Sequence, residues 1–154
     1  MLLVTAVTLV ATLAAPMQDH QAHALDRANK GMGFDQARTT HHFRLERDGG
    51  TIEVVAKARD DRETISQIRS HLSHVGEAFA NGDFSLPMFI HATEPPGTAV
   101  MKERRASMVF SFEPTPDGAK VVVRTGDPRA LAALHDFLRF QIREHKTGDP
   151  LQPK

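Results

Sequence analysis

The chain contains no cysteine, no tryptophan and no tyrosine. Without cysteine there is no disulfide, no thiolate nucleophile and no cysteine-bound zinc. Without tryptophan and tyrosine, its nine phenylalanines are the only aromatic side chains, a poor platform for sugars or bases. Charge of one sign is lacking too: 19 Lys+Arg balance 19 Asp+Glu. No long basic or acidic run occurs, so the electrostatic footprint of a nucleic-acid binder is missing. No G-x-S-x-G, phosphate-binding loop or dinucleotide fingerprint occurs. Ser70 and Ser73 flank histidines, but neighbouring helix residues point apart, so a serine triad finds no support. Long hydrophobic runs are limited to residues 2–15, LLVTAVTLVATLAA, too short for a membrane span.

Against these absences stand nine histidines in 154 residues. The reactive inventory is imidazole, carboxylate, thioether and hydroxyl. The length suits one domain with its own core, and 40% hydrophobic with 25% charged residues is ordinary for a globular chain.

The apolar run is followed by Pro16, a polar stretch and Ala22-His23-Ala24, which fits an A-x-A cleavage site. Residues 1–24 are expected to be a secretory signal peptide, although no Lys or Arg precedes the apolar run. The alternatives are an N-terminal helix of the fold or a retained anchor. Cleavage would remove His20 and His23, leave seven histidines and place the domain in the periplasm or outside the cell, with no membrane span. With no disulfides, burial alone must then hold the domain together.

Residues 25–40 read as an N-terminal lead-in segment. Residues 41–47 alternate, with Phe43 and Leu45 on one face, then Asp48-Gly49-Gly50 marks a turn, and residues 51–57 alternate again, a β-hairpin. Between 61 and 80, Ile65, Ile68, Leu72, Val75 and Phe79 recur at three- and four-residue steps, the stripe of an amphipathic helix ended by Asn81-Gly82. Residues 85–92, SLPMFIHA, suit an edge strand, and Pro95-Pro96-Gly97 breaks the chain. Met108, Phe110 and Phe112 mark a strand, Pro116-Asp117-Gly118 a turn, and residues 120–125 its partner. Asp127-Pro128 opens a last helix with stripe Leu131, Leu134, Leu138 and Ile142. The pattern ββαβββα predicts one α+β domain over 41–148: an antiparallel sheet of about five strands with two amphipathic helices packed on one face. Residues 149–154 are expected to be a frayed tail.

The best chemical constellation is His71-Leu72-Ser73-His74. An i, i+3 histidine pair can chelate one ion if other elements add ligands; two half-exposed helix histidines are the plain alternative. His41 shares the face of Phe43 and Leu45, where a packed helix brings it near His71 or His74, whereas His42 faces the other way. His91 precedes the Pro-Pro-Gly break, a common site position. Met32, between two glycines, and Met101 offer thioethers, which favour cuprous copper, or they tuck onto the core. His135 reads as structural and His145 as a helix C-terminal cap. Asp35, Glu77, Asp83 and Asp136 are available to orient an imidazole, but none forms a recognisable acid–base pair.

The strings MGFD at 32–35, THHFRL at 40–45, IRSHLSHV at 68–75, PPG at 95–97 and HDFLRFQIREHKTGD at 135–149 resemble an uncharacterised family of small secreted bacterial proteins. The resemblance covers most of the chain after residue 24. It implies export and a common fold, and no mechanism.

The sequence therefore predicts an exported small binding protein that takes copper or zinc through His41, His71, His74 and His91, with Met32 and Met101 as softer ligands. No catalytic residue is assigned. The rivals are a protein-interaction or small-ligand module whose histidines are structural, and a small enzyme using one histidine as base.

Overall fold

The computed structural model describes Arg27 and residues 29–154. The expected signal peptide, residues 1–24, lies outside the described residues. The chain then forms strands β1 (Thr39–Glu46), β2 (Gly49–Ala56), β3 (Met108–Thr115) and β4 (Gly118–Thr125), and helices α1 (Arg62–Ala80), α2 (Ser85–His91), α3 (Thr98–Glu103) and α4 (Pro128–His145). This is an α+β fold with one four-stranded antiparallel sheet in the order β1-β2-β4-β3. Among the described residues, no helix is long and apolar enough to cross a membrane.

Each hairpin is closed by two residues, Arg47-Asp48 and Pro116-Asp117. The register sets Phe43 opposite Ile52, Ile52 opposite Val121 and Val121 opposite Phe112. Period-two alternation thereby gathers the apolar set on one sheet face. The other face carries ion pairs such as Arg44–Glu53, Arg124–Glu46 and Lys120–Glu113.

Helices α1 and α4 cover the apolar face. In α1, Ile65, Ile68, Leu72, Val75 and Phe79 are all buried, as the sequence period requires. Its N-cap is Asp61, whose carboxylate accepts from the Thr64 N–H at 3.1 Å. In α4 the buried stripe runs through Ala130, Leu134, Phe137, Leu138 and Ile142. Leu131 lies at its edge, half-buried. Phe79, Phe84 and Phe137 form the centre of the core, with ring centroids 4.6–6.3 Å apart. Gly97 has a φ of 87°, and a Cβ there would meet the Ala133 carbonyl oxygen at 2.0 Å. Only glycine lets the start of α3 lie this close to α4.

The expected fifth strand does not form. Residues 85–91 are helical, and the sheet stops at four strands. Two local facts favour the helix. The Asp83 carboxylate accepts from the Ser85 N–H at 2.8 Å, opening a first turn, and Pro87 sits within that turn, where a missing N–H costs nothing. The buried residues are Pro87 and Ile90, spaced three apart, while Met88 and Phe89 face outward. Strand alternation would have buried Phe89 with Pro87.

Residues 149–154, expected as a frayed tail, lie alongside β1 and make several hydrogen bonds. The Asp149 carboxylate accepts from the Phe43 N–H at 3.0 Å and pairs with the outward-facing His42. Arg139 donates to the Leu151 carbonyl, and the Lys154 N–H donates to the Leu45 carbonyl. The tail thus covers the free edge of β1.

One prediction arises from the α4 N-terminus. Asp127 Oδ1 accepts from the N–H groups of Arg129 and Ala130, at 2.8 and 3.2 Å. Asp127→Ala is expected to lower the unfolding free energy by about 1 kcal/mol, read as a lower urea midpoint with an unchanged m-value.

Candidate functional site

Four elements each deliver one histidine to the same place. Strand alternation turns His41 of β1 inward beside Phe43. In α1, His71 precedes the fully buried Leu72 and borders the apolar stripe. His91 is the last residue of α2 and His145 the last of α4. All four line one cavity of about 60 Å³, together with Met32, Phe43, Leu72, Ile90, Phe137 and Gln141.

The rings are close. His41 and His145 are stacked at 5.1 Å between centroids, with planes 25° apart. His145 and His91 meet edge to face at 5.2 Å. Phe34 stands between His41 and His71, at 6.2 and 5.4 Å. For comparison, metal–nitrogen bonds near 2 Å put the centroids of two imidazoles on one tetrahedral ion about 5 Å apart. The His41–His145 and His91–His145 pairs already have that separation, whereas His71 is set off from His41 by Phe34. Their orientation differs: among the described residues, no group of three or more His, Asp or Glu is arranged to hold a metal ion. Stacked rings carry their nitrogens in near-parallel planes, so capture requires a side-chain rotation at His41 or His145.

The electrostatics keep the cluster neutral. Burial, followed by the neighbouring His145, His71 and His42, pulls the His41 pKa down to about 3. Burial and then His74 lower His71 to about 4. Burial and then His91 lower His145 to about 4. His91 is also lowered by burial, against the raising pull of Gln141 and Glu144. A first imidazolium here would lose its hydration and repel a second. At neutral pH each ring therefore keeps one nitrogen lone pair.

Those lone pairs are not consumed by the protein. Among the described residues, neither ring nitrogen of His41, His71 or His145 has a protein hydrogen-bond partner. His91 differs. Its Nε2–H donates to Gln141 Oε1 at 3.0 Å, and its Nδ1 lies 3.8 Å from the Glu144 carboxylate. That leaves Nδ1 as the lone pair, the tautomer that a second-layer acceptor imposes on a ligating histidine. Met32 is buried at the cavity wall, where its sulfur accepts from Gln36 Nε2 at 3.1 Å.

Of the residues the sequence singled out, His41, His71, His91 and Met32 meet at this cavity. His74 is exposed on the outer side of α1 and does not line it. Met101 is fully buried in the core away from it. Sequence reasoning missed two cavity residues. His145 was expected to cap α4 as an imidazolium, but burial outweighs the helix dipole and holds it neutral. Lys146, in the left-handed conformation, caps the helix through its own N–H instead. The signal was present, because His145 continues the Leu138–Ile142 stripe inward. Gln141 was not considered. His135 is structural: its Nε2–H is shared by the carbonyls of Glu46 and Gly49 at 2.9 and 3.0 Å, bracing the β1–β2 turn.

Comparison of the chain with family models, curated proteins and solved structures finds no match.

Proposed function

We propose that this protein is a small metal-capture protein that takes one copper or zinc ion in the histidine cavity. His41, His71, His91 and His145 are the imidazole ligands, and Met32 is an additional soft donor. The observation that carries this reading is the gathering of four neutral histidines, from four separate elements, around one cavity. The four histidines are half-buried, and the ring nitrogens of His41, His71 and His145 have no protein partner among the described residues, so an incoming ligand can use them. Neutral imidazole suits copper and zinc alike, and a thioether shifts preference toward cuprous copper.

The test is a titration of tag-free protein with Zn(II), Cu(II) and, under reductant, Cu(I) at pH 7.5. One equivalent is expected to bind. The double variant His41→Phe/His71→Phe is expected to lose at least 100-fold in affinity, and His74→Ala to lose less than threefold. Equal affinity in the wild type and the double variant would exclude the cavity as the site.

A further inference from the structure

The two edges of the sheet differ. The β1 edge lies under the chain's own residues 149–154. Beyond β4, β3 has no strand partner among the described residues. The pairing of Thr115 with Gly118 across the two-residue turn sets the parity of β3. Val109, Ser111 and Glu113 turn their backbone groups toward β4, whereas Met108, Phe110, Phe112 and Pro114 turn theirs outward. Pro114 has no N–H to offer, and the Met108 N–H donates to the Arg105 carbonyl. The free donors of this edge are therefore the N–H groups of Phe110 and Phe112, each with its own carbonyl beside it. The side chains around them are apolar. Val109 is 62% exposed on the ion-pair face and Phe112 37% exposed on the helix face, where Phe110 reaches Phe79. Such an edge is a template for another strand, and neither a lysine nor a bulge within β3 blunts it.

We infer that this edge is a dimerisation surface, and that its partner is the β3 strand of a second copy, paired antiparallel about a two-fold axis at Ser111. That register sets Phe110 of each copy against Phe112 of the other, so both free donors and both carbonyls are used. The aromatic rings then stand opposite one another on the helix face. Pro114 falls opposite Met108, whose N–H is already engaged, so the pair that lacks donors lies at the rim. The charges fit the same arrangement. Arg104 and Arg105 lead into β3, and Glu113 and Asp117 lie at its other end. Antiparallel pairing brings the basic approach of one copy alongside the acidic end of the other. A formal net charge of zero adds no repulsion between copies. Because the tail covers the β1 edge, association closes at two copies sharing one continuous sheet and does not grow into a filament. None of this depends on the metal reading.

The experiment is sedimentation equilibrium of the tag-free protein over a hundredfold range of concentration reaching about 0.5 mM, with amide hydrogen exchange measured at both ends of the range. A monomer–dimer equilibrium is expected, with the Phe110 and Phe112 amides better protected at the high concentration. Phe112→Pro removes one donor and one ring from the edge without breaking a bond to β4. It is expected to weaken the dimer at least tenfold, which corresponds to about 1.4 kcal/mol. Phe112→Lys, which puts a charge on the edge, gives the same readout should the proline variant fail to fold. A chain that stays monomeric throughout the range overturns the inference, and so does a dimer that neither variant weakens. A dimer whose Phe110 and Phe112 amides exchange as fast as those of the monomer overturns it too, because its interface then lies elsewhere.

Discussion

Acidification from pH 7 to pH 5 is expected to destabilise the metal-free fold by about 3–6 kcal/mol. In the unfolded chain the histidines accept protons near pH 6.5. In the fold, His41 does so only at about 3, and His71 and His145 at about 4. Between those values the unfolded chain binds more protons, so falling pH favours unfolding. The contribution of these groups is fully present above pH 6.5. It is lost progressively as pH drops toward 4 and then 3. Each group gives up about 1.4 kcal/mol per pH unit inside that window, or about 2 kcal/mol by pH 5. Three such groups give about 6 kcal/mol as an upper figure, reduced by the repulsion that His41 shares with His71 and His145. Against a total stability of about 5–15 kcal/mol for a domain, this brings unfolding within reach. Urea unfolding at pH 7.5, 6.5, 5.5 and 5.0 checks it: the midpoint should fall steadily below pH 6.5. A midpoint unchanged between pH 7.5 and 5.0 would mean that the rings protonate freely in the fold.

The second large effect runs in two directions at once. His145→Phe is expected to lower metal affinity about 100-fold and to raise stability at pH 5 by about 1–2 kcal/mol relative to wild type. The ring lies 5.4 Å from Phe43 and 5.1 Å from His41. An apolar ring in that place keeps the stacking, removes one acid-sensitive group and relieves His41 of its largest like-charge neighbour. A histidine that stabilised the fold through the helix dipole would behave oppositely, and its loss would destabilise the protein most at low pH. Paired metal titrations and urea curves at pH 7.5 and 5.0 separate the two cases. Opposed effects on binding and acid stability are the pattern of a site maintained at the expense of the fold.

The fold was largely legible because its periods are long and its caps strong. Both hairpins, the α1 stripe from Ile65 to Phe79 and the Asp127-Pro128 helix start were each declared by several local signals agreeing with one another. Residues 85–91 were not, since SLPMFIHA satisfies a short strand and a short helix equally on composition. The Asp83–Ser85 bond and the packing of Ile90 beneath the lead-in segment decide for the helix, and both depend on contacts beyond the segment itself. That change matters for the site. As the last residue of a helix, His91 folds back onto Gln141 and His145, where a strand end would have carried it along the sheet.

The site was half legible for a related reason. Strand parity sent His41 inward and His42 out, and the α1 stripe marked the border on which His71 stands. The same arithmetic, carried three residues further along α1, sends His74 to solvent. Met32 was found because its Gly31-Met32-Gly33 setting lacked a simple account, whereas Met101 proved to be ordinary core. His145 was assigned to the helix dipole when its place on the stripe pointed into the protein. Gln141 carries no chemical signature of its own. Only its burial beside His91, with one amide end unpaired, marks it out.

X-ray absorption at the metal edge, on tag-free protein holding one equivalent of zinc or copper, tests the central claim most directly. The account predicts at least three nitrogen scatterers near 2 Å with the outer-shell pattern of imidazole rings. That pattern should survive His74→Ala and collapse in the His41→Phe/His71→Phe variant. A shell of oxygen scatterers alone, or an imidazole pattern indifferent to His41 and His71, would contradict it.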